Sequence, residues 1–338
     1  MSATFVTEKA FSQAIQKEAA SPPGSLRLRC PLCAEPLGSI ELVTKSAHPA
    51  CAGCGFEFQS ESGIWKPLPR SSEKRFEQFV REYELIRARE GHAATGGDYF
   101  LALPYKDLTG RNKWQWKIRS GSFRFLAEKV FPVLEQTHTD GMDILDVGSG
   151  NCWLSYRLAL RGHRLAAVDL LLNHQDGLGA AHHYLRHLSR RFPRFQAEMN
   201  KLPFEDSQFD VAIFNASFHY SEGYLQTLRE TLRCLRRPGH VMIVDSPHYE
   251  RDESGRRMVE EKHTRFLEMY GFRSDSIASR EYLTAQTLES LSRETGVKWQ
   301  RFEPWHGSRW ALRPWKARLL GRREPAKFFL FWGSVGKS

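Results

Sequence analysis

Ile144-Leu-Asp-Val-Gly-Ser-Gly-Asn-Cys152 is the stretch whose reading decides the fold. Apolar residues from Met142 to Val147 read as a strand with Asp146 near its end. Gly148 and Gly150 then let the backbone turn sharply beneath a nucleotide-like ligand, since glycine brings no Cβ and tolerates left-handed torsions. A helix follows at once, from Trp153 to Leu160. A second strand, Arg164–Asp169, ends 23 residues after Asp146 in Asp169. A carboxylate at that position can accept both hydroxyls of a ribose. Taken alone, such a loop is shared with nicotinamide-dinucleotide enzymes.

Downstream, short apolar runs alternate with amphipathic helices, the pattern of a parallel α/β sheet. Phe209–Asn215 and His240–Asp245 are the next strands. The helix Tyr224 to Leu235 should stop at Arg236-Arg237-Pro238-Gly239, with basic residues facing its C-terminus. Thr284 is placed to cap a helix ending at Gly296, and Val297–Phe302 and Lys327–Trp332 close the chain as strands. Upstream, Phe76, Phe79, Val80, Tyr83 and Ile86 recur at three- and four-residue steps, so Ser71 to Glu90 reads as a helix. A further helix, Ser122 to Glu135, contains Pro132, which should bend or break it.

Three segments together carry a family likeness. Leu145-Asp-Val-Gly-Ser-Gly-Asn-Cys-Trp-Leu-Ser, Leu202-Pro-Phe-Glu-Asp-Ser-Gln-Phe-Asp210 and Leu235-Arg-Arg-Pro-Gly239 resemble class I S-adenosylmethionine methyltransferases. The closest likeness is to the subgroup that includes ubiquinone and menaquinone biosynthetic enzymes, and it spans about Asp140 to Pro247. The resemblance implies a Rossmann-like α/β fold whose sheet is mostly parallel with an antiparallel last strand. It implies S-adenosyl-L-methionine as cofactor, with Asp146, Gly148 and Gly150 around its methionine part and Asp169 on the ribose. Glu198 falls where the family has the acidic residue near the adenine amine, and Asn215 joins the cofactor candidates from the end of the third strand. Cys152 stands where the family has a third glycine, a replacement expected to narrow the space beside the cofactor tail, and His240 where it has a glycine after Pro-Gly.

Cys30-Pro-Leu-Cys33 and Cys51-Ala-Gly-Cys54 form two C-x-x-C knuckles with 17 residues between them. Two intervening residues let one tight turn set both sulfurs about 3.8 Å apart on a zinc ion, and four thiolates close a tetrahedral site. Disulfides or a redox pair are the rival readings; a reduced compartment and two matched knuckles argue against them. The domain plan expected is therefore a zinc ribbon at 21–70, a helical linker and lid at 71–139, and the methyltransferase domain at 140–338. Cys152 and Cys234 read as packing residues.

No run of 18 apolar residues occurs, and Met1 to Gly24 carry Glu8, Lys9, Lys17 and Glu18 without an apolar stretch. A membrane span and a secretory leader are not expected, and the location expected is cytoplasmic. The net charge of +10 suggests an anionic partner. At the acceptor side, His219 and His248 follow two strand ends and are the candidate catalytic bases, each with a plain polar-wall role as the rival. Tyr99 to Tyr105 and Trp114 to Arg119 form an aromatic, basic segment that serves either as a lid or as an interface with the ribbon.

Residues 305–325 hold six basic residues against Glu324, interleaved with Trp305, Trp310 and Trp315. Such an insertion suits nucleic acid, an anionic small molecule, a lipid headgroup or mere packing. An anionic small-molecule or lipid-linked acceptor is expected ahead of RNA. The Gly63-Ile-Trp-Lys-Pro-Leu-Pro69 segment after the ribbon resembles a bacterial ribosomal-RNA guanine methyltransferase, which keeps an RNA methyltransferase as the alternative. A non-catalytic cofactor-binding partner protein is the third reading; the intact Asp146, Gly148, Gly150 and Asp169 set weighs against it.

Overall fold

The computed structural model describes residues 25–45, 49–92 and 96–336. The N-terminal segment that reads as no secretory leader lies outside the described residues. Eleven strands form among the described residues: β1 (Arg27–Arg29), β2 (Pro36–Ser39), β3 (Gln59–Glu61), β4 (Ile64–Lys66), β5 (Asp143–Val147), β6 (Arg164–Asp169), β7 (Arg194–Gln196), β8 (Phe209–Asn215), β9 (Leu235–His248), β10 (Lys298–Phe302) and β11 (Lys327–Val335). Nine of them make one sheet in the order β10-β11-β9-β8-β5-β6-β7-β4-β3, and β1 pairs with β2 beside it. The strands from β9 to β4 run parallel, whereas β11 is antiparallel to both neighbours and β3 is antiparallel to β4. This is the α/β, mostly parallel sheet with an antiparallel closing strand that the sequence implies.

The core follows from the two-residue period of buried strands. In β5, Ile144 faces one apolar layer with Val211 and Met242, while Leu145 and Val147 face the other with Ala212 and Ile243. Helices cover both faces, so every residue from Ile144 to Val147 is buried. Strand order reverses between β5 and β8, and at such a point the loops beyond the carboxyl ends part to leave a crevice.

Several local expectations change. The helix Tyr224–Cys234 ends one residue early because Leu235 already pairs with Phe209 in the sheet. Arg236 does not face that helix end; its Nη1 donates to Asp143 at 2.8 Å and Asp210 at 2.9 Å, tying three strands together. The helix containing Pro132 starts earlier, at Lys113, and continues through a widened turn, Leu126–Val130, into Phe131–Glu135. Proline sits in the first turn after that widening, where its missing N–H costs little. Thr284 caps its helix as expected, its hydroxyl accepting from the Thr287 N–H at 3.2 Å.

The cysteine-bearing segment is not a separate body. Leu28, Cys30, Cys51 and Phe58 share a core with Leu202 and Phe204, and Arg29 N donates to the Pro203 carbonyl at 3.0 Å. The β3–β4 hairpin extends the main sheet through β7. Among the described residues no helix is long and apolar enough to cross a membrane.

Phe204 joins the two parts: it is fully buried, edge-to-face with Phe195 at 5.0 Å and Phe209 at 5.1 Å. Phe204→Ala should lower stability by about 3–5 kcal/mol, the usual loss for a buried aromatic. Urea unfolding would show this as a lower midpoint, and a loss below about 1 kcal/mol would mean that the two parts do not share this core.

Candidate active site

The crevice beyond β5, β6 and β8 is built on the glycine turn. Gly148 adopts φ 71°, and a Cβ there would meet the Ser217 Cβ at 2.3 Å. Ser217 is itself held by donating to the Val147 carbonyl at 2.5 Å. Gly150, at φ 52°, donates its N–H to Asp169 Oδ2 at 2.7 Å, so the turn is pinned to the end of β6. Cys152 explains why a third glycine suits this loop: it too is left-handed, at φ 63°, a conformation that costs a residue with a Cβ about 1–2 kcal/mol. Its side chain is buried in the opposite core and does not narrow the crevice.

Five carboxylates line this crevice, and Asp176 and Glu222 are joined to arginines of the helix above it; the other three are Asp146, Asp169 and Glu198. Asp146 is fully buried; Ser155 donates to its Oδ2 at 2.6 Å, while Oδ1 has no partner. Burial pushes its pKa up to about 7, with the Ser155 hydroxyl pulling down and the Asp169 charge pushing up. Asp169 is raised to about 6 by burial, against the N–H groups of Leu171 and Gly150. Glu198 is buried, with Oε2 held by Arg75 at 2.5 Å and Oε1 unpartnered. A buried acceptor without a donor is costly, so these two free oxygens fit a ligand bearing N–H groups. S-adenosylmethionine carries an ammonium, a ribose diol and an adenine amine, which suit Asp146, Asp169 and Glu198. Gly148, Gly150 and Asn215 line the same crevice.

The crevice has a roof, and it comes from the first helix of the 71–139 segment expected as linker and lid rather than from the aromatic, basic stretches singled out within it. The Arg70–Arg89 helix lays Phe76, Phe79, Tyr83 and Arg87 over it, enclosing about 1120 Å³ with its mouth included. Three ion pairs clamp the helix: Arg75 to Glu198 and to Glu222, and Arg87 to Asp176 through its Nε and Nη2. Tyr83 meets Tyr220 edge-to-face at 5.7 Å, and burial raises the pKa of both phenols. The signal lay in the helical stripe itself, which is aromatic and bordered by two arginines where a plain core face would be aliphatic. Of the aromatic, basic stretches, only Arg119 reaches the crevice. Tyr99, Phe100 and Trp116 instead pack in the core with Trp153 and Tyr184, away from the cysteines.

His219 and His248 require a correction, because neither ring lines the crevice. His219 is buried against Tyr220, with Nδ1 3.3 Å from the Ser246 hydroxyl, and burial pushes its pKa down to about 3. His248 is buried between Phe329 and Phe331, and burial pulls its pKa down to about 4. Both follow strand ends as expected, but the chain turns their rings into apolar packing. His240 lies in β9 and accepts from Trp332 Nε1 at 2.9 Å.

The four cysteine sulfurs converge within 4.8 Å of one another. Cys30 and Cys54 lie 3.6 Å apart, Cys33 and Cys51 3.4 Å apart. Sulfur spacings near 3.8 Å are what a tetrahedron of bonds of about 2.3 Å requires, so the donor set fits zinc.

The family model described as Methyltransferase domain matches residues 145–243. Among solved structures, the chain is similar to 1,6-didemethyltoxoflavin-N1-methyltransferase from Burkholderia thailandensis, solved with 1,6-didemethyltoxoflavin and S-adenosylhomocysteine bound. The identity is 13% and the TM-score 0.46, over 86% of this chain and 100% of that one. It is also similar to a SAM-dependent methyltransferase from Methanosarcina mazei, at 14% identity and TM-score 0.41, over 62% of this chain and 99% of that one. No curated protein matches the sequence. The chain thus carries a methyltransferase domain, matched over residues 145–243, on a Rossmann-like α/β sheet.

Proposed function

We propose that the enzyme methylates a small or lipid-linked metabolite bound beneath the Arg70–Arg89 helix. The observation that carries this reading is the roof: Phe76, Phe79, Tyr83 and Tyr220 give the crevice an aromatic wall beside the cofactor carboxylates, a lining suited to a compact acceptor. S-adenosylmethionine supplies a methyl group on a sulfonium, open to in-line attack. Asp146 Oδ1 would hold its ammonium, Asp169 its ribose hydroxyls and Glu198 Oε1 its adenine amine, and Asn215 would border the transfer site.

The roof excludes water and fixes the approach of the nucleophile. Arg119 lines the crevice and forms no ion pair among the described residues; its guanidinium lies over the Trp116 ring at 4.9 Å. Burial and the Arg87 charge hold its pKa below the ordinary arginine value. A cation so placed favours an anionic acceptor. An acceptor that enters as an anion needs no base, which suits a crevice lined by no histidine among the described residues.

Incubation with radiolabelled S-adenosylmethionine and cell extract tests the acceptor class. Label should enter a solvent-extractable fraction that survives ribonuclease. Label removed by ribonuclease would replace the metabolite with RNA.

The raised carboxyls set a pH dependence. The ammonium favours ionised Asp146, so cofactor binding releases a proton wherever that group is protonated in the free enzyme. Affinity should therefore fall as pH drops through about 7, approaching tenfold per pH unit, with Asp169 adding to the loss near 6. In Asp146→Asn, calorimetric titration should find weaker binding without the step near 7. Wild-type affinity that stays flat across this range would remove Asp146 from the ammonium site.

The four cysteines are assigned to one structural zinc, since four thiolates leave no position open for chemistry. Protein purified without added metal should hold about one equivalent of zinc, and Cys51→Ser should lose it with a lowered melting temperature. Metal-free folded protein with four freely titratable thiols would sink this assignment.

A further inference from the structure

The 305–325 insertion folds as two short helices, Ser308–Ala311 and Arg313–Leu319, between β10 and β11. Its inner side is fixed. The Arg313 guanidinium stacks on Trp310 at 3.9 Å, and Trp310 stacks on Phe328 at 5.3 Å. Its outer side is the opposite of what packing requires. Leu312, Trp315 and Leu319 are 59%, 65% and 66% exposed. At 100° per residue these positions fall on one narrow stripe, while Arg313 and Ala317 fall on the protein side. Lys316 and Arg318 border the stripe, and Trp305 stands exposed beside it.

We infer that this stripe docks the enzyme on the surface of an anionic lipid bilayer. Apolar side chains that enter the headgroup boundary, flanked by cations that meet lipid phosphates and carboxylates, are the composition of an interfacial helix. Arg309, Lys316, Arg318 and Arg322 form no ion pair among the described residues. The acid of the insertion is turned inward, with Glu324 accepting from the Glu250 N–H at 3.0 Å. RNA would use the tryptophans and cations but offers nothing to two exposed leucines. A second copy in a two-fold contact would set Lys316 and Arg318 against their own like charges.

The position of the stripe suits the chemistry. β11 begins with Lys327 paired to His248, at the carboxyl end of β9, so the insertion lies at the edge of the sheet that opens into the cofactor crevice. Trp114, on the helix that carries Arg119 into the crevice, meets Trp310 at 6.2 Å. A bilayer beneath the insertion thus adjoins the site and favours the lipid-linked form of the acceptor. That last step rests on the methyl-transfer reading; the docking does not.

Sedimentation of the full chain with phosphatidylcholine vesicles, with and without about 30% phosphatidylserine, tests the docking in the absence of cofactor and acceptor. The protein should partition to the anionic vesicles and release as salt rises. The double variant Trp315→Ser, Leu319→Ser should bind them at least about tenfold more weakly, with S-adenosylmethionine affinity and melting temperature unchanged. Lys316→Glu with Arg318→Glu should do the same by charge. Equal partition of wild type and variants, or no binding to anionic vesicles, overturns the proposal. So does binding of a single-stranded RNA without vesicle binding, or self-association in sedimentation velocity that the double variant abolishes. Vesicle binding can fail while labelled product still forms, so a failed docking and a failed acceptor assignment are told apart.

Discussion

A single hydrogen bond, from the Gly150 backbone N–H to the Asp169 side-chain carboxylate, sets the geometry on which the rest depends. It locks the turn after β5 to the end of β6, and the Gly148 and Ser149 N–H groups reinforce it by donating to the Val168 carbonyl. With the turn held there, Asp146 remains buried behind it and Ser217 packs where a side chain at position 148 would stand. The crevice is therefore formed before any ligand arrives. Its charge is set by the same constraint: two carboxylates are held out of water, which raises both pKa values and makes a cationic ligand the natural partner.

The roof depends on charge in the same way. Arg75 and Arg87 sit at the two ends of one aromatic stripe, and each meets a carboxylate from the sheet side, Glu198 and Asp176. Glu198 thereby touches the roof with one oxygen and faces the crevice with the other. Any ligand group that binds Glu198 also feels the position of the helix above it.

Much of this was legible in the sequence because β5, β6, β8, β9 and β11 are each long enough to show an apolar run bounded by Gly, Pro or Asp, and β10 follows the helix stop at Gly296. Strands of three residues show no period, so β7 and the joining of β3–β4 to the sheet were not readable. Asp146, Gly148, Gly150, Asp169, Glu198 and Asn215 come together because strand ends and tight turns are local features. The facing of the histidines, and which helix of the 71–139 segment forms the roof, were missed for the opposite reason. Which way the rings of His219 and His248 face, and what the Phe76 to Arg87 stripe covers, are decided by contacts far away in sequence. Cys152 shows the gain in combining both views: a missing glycine reads as a change in space, whereas the structure shows it as a change in torsion.

The β3–β4 hairpin has a role that concerns the sheet rather than the chemistry. A long parallel sheet ends in rows of free N–H and C=O groups, on which another chain can build. Here β4 caps β7, and the last strand outward, β3, is only Gln59–Glu61, short, polar and exposed. The opposite margin, β10, carries Lys298 and Arg301. The hairpin begins just beyond Cys54 and Phe58, so the cluster of four cysteines anchors the cover of that margin. Opening the cluster would bare β7 with its Phe195, and the first symptom would be turbidity, with the catalytic crevice still intact.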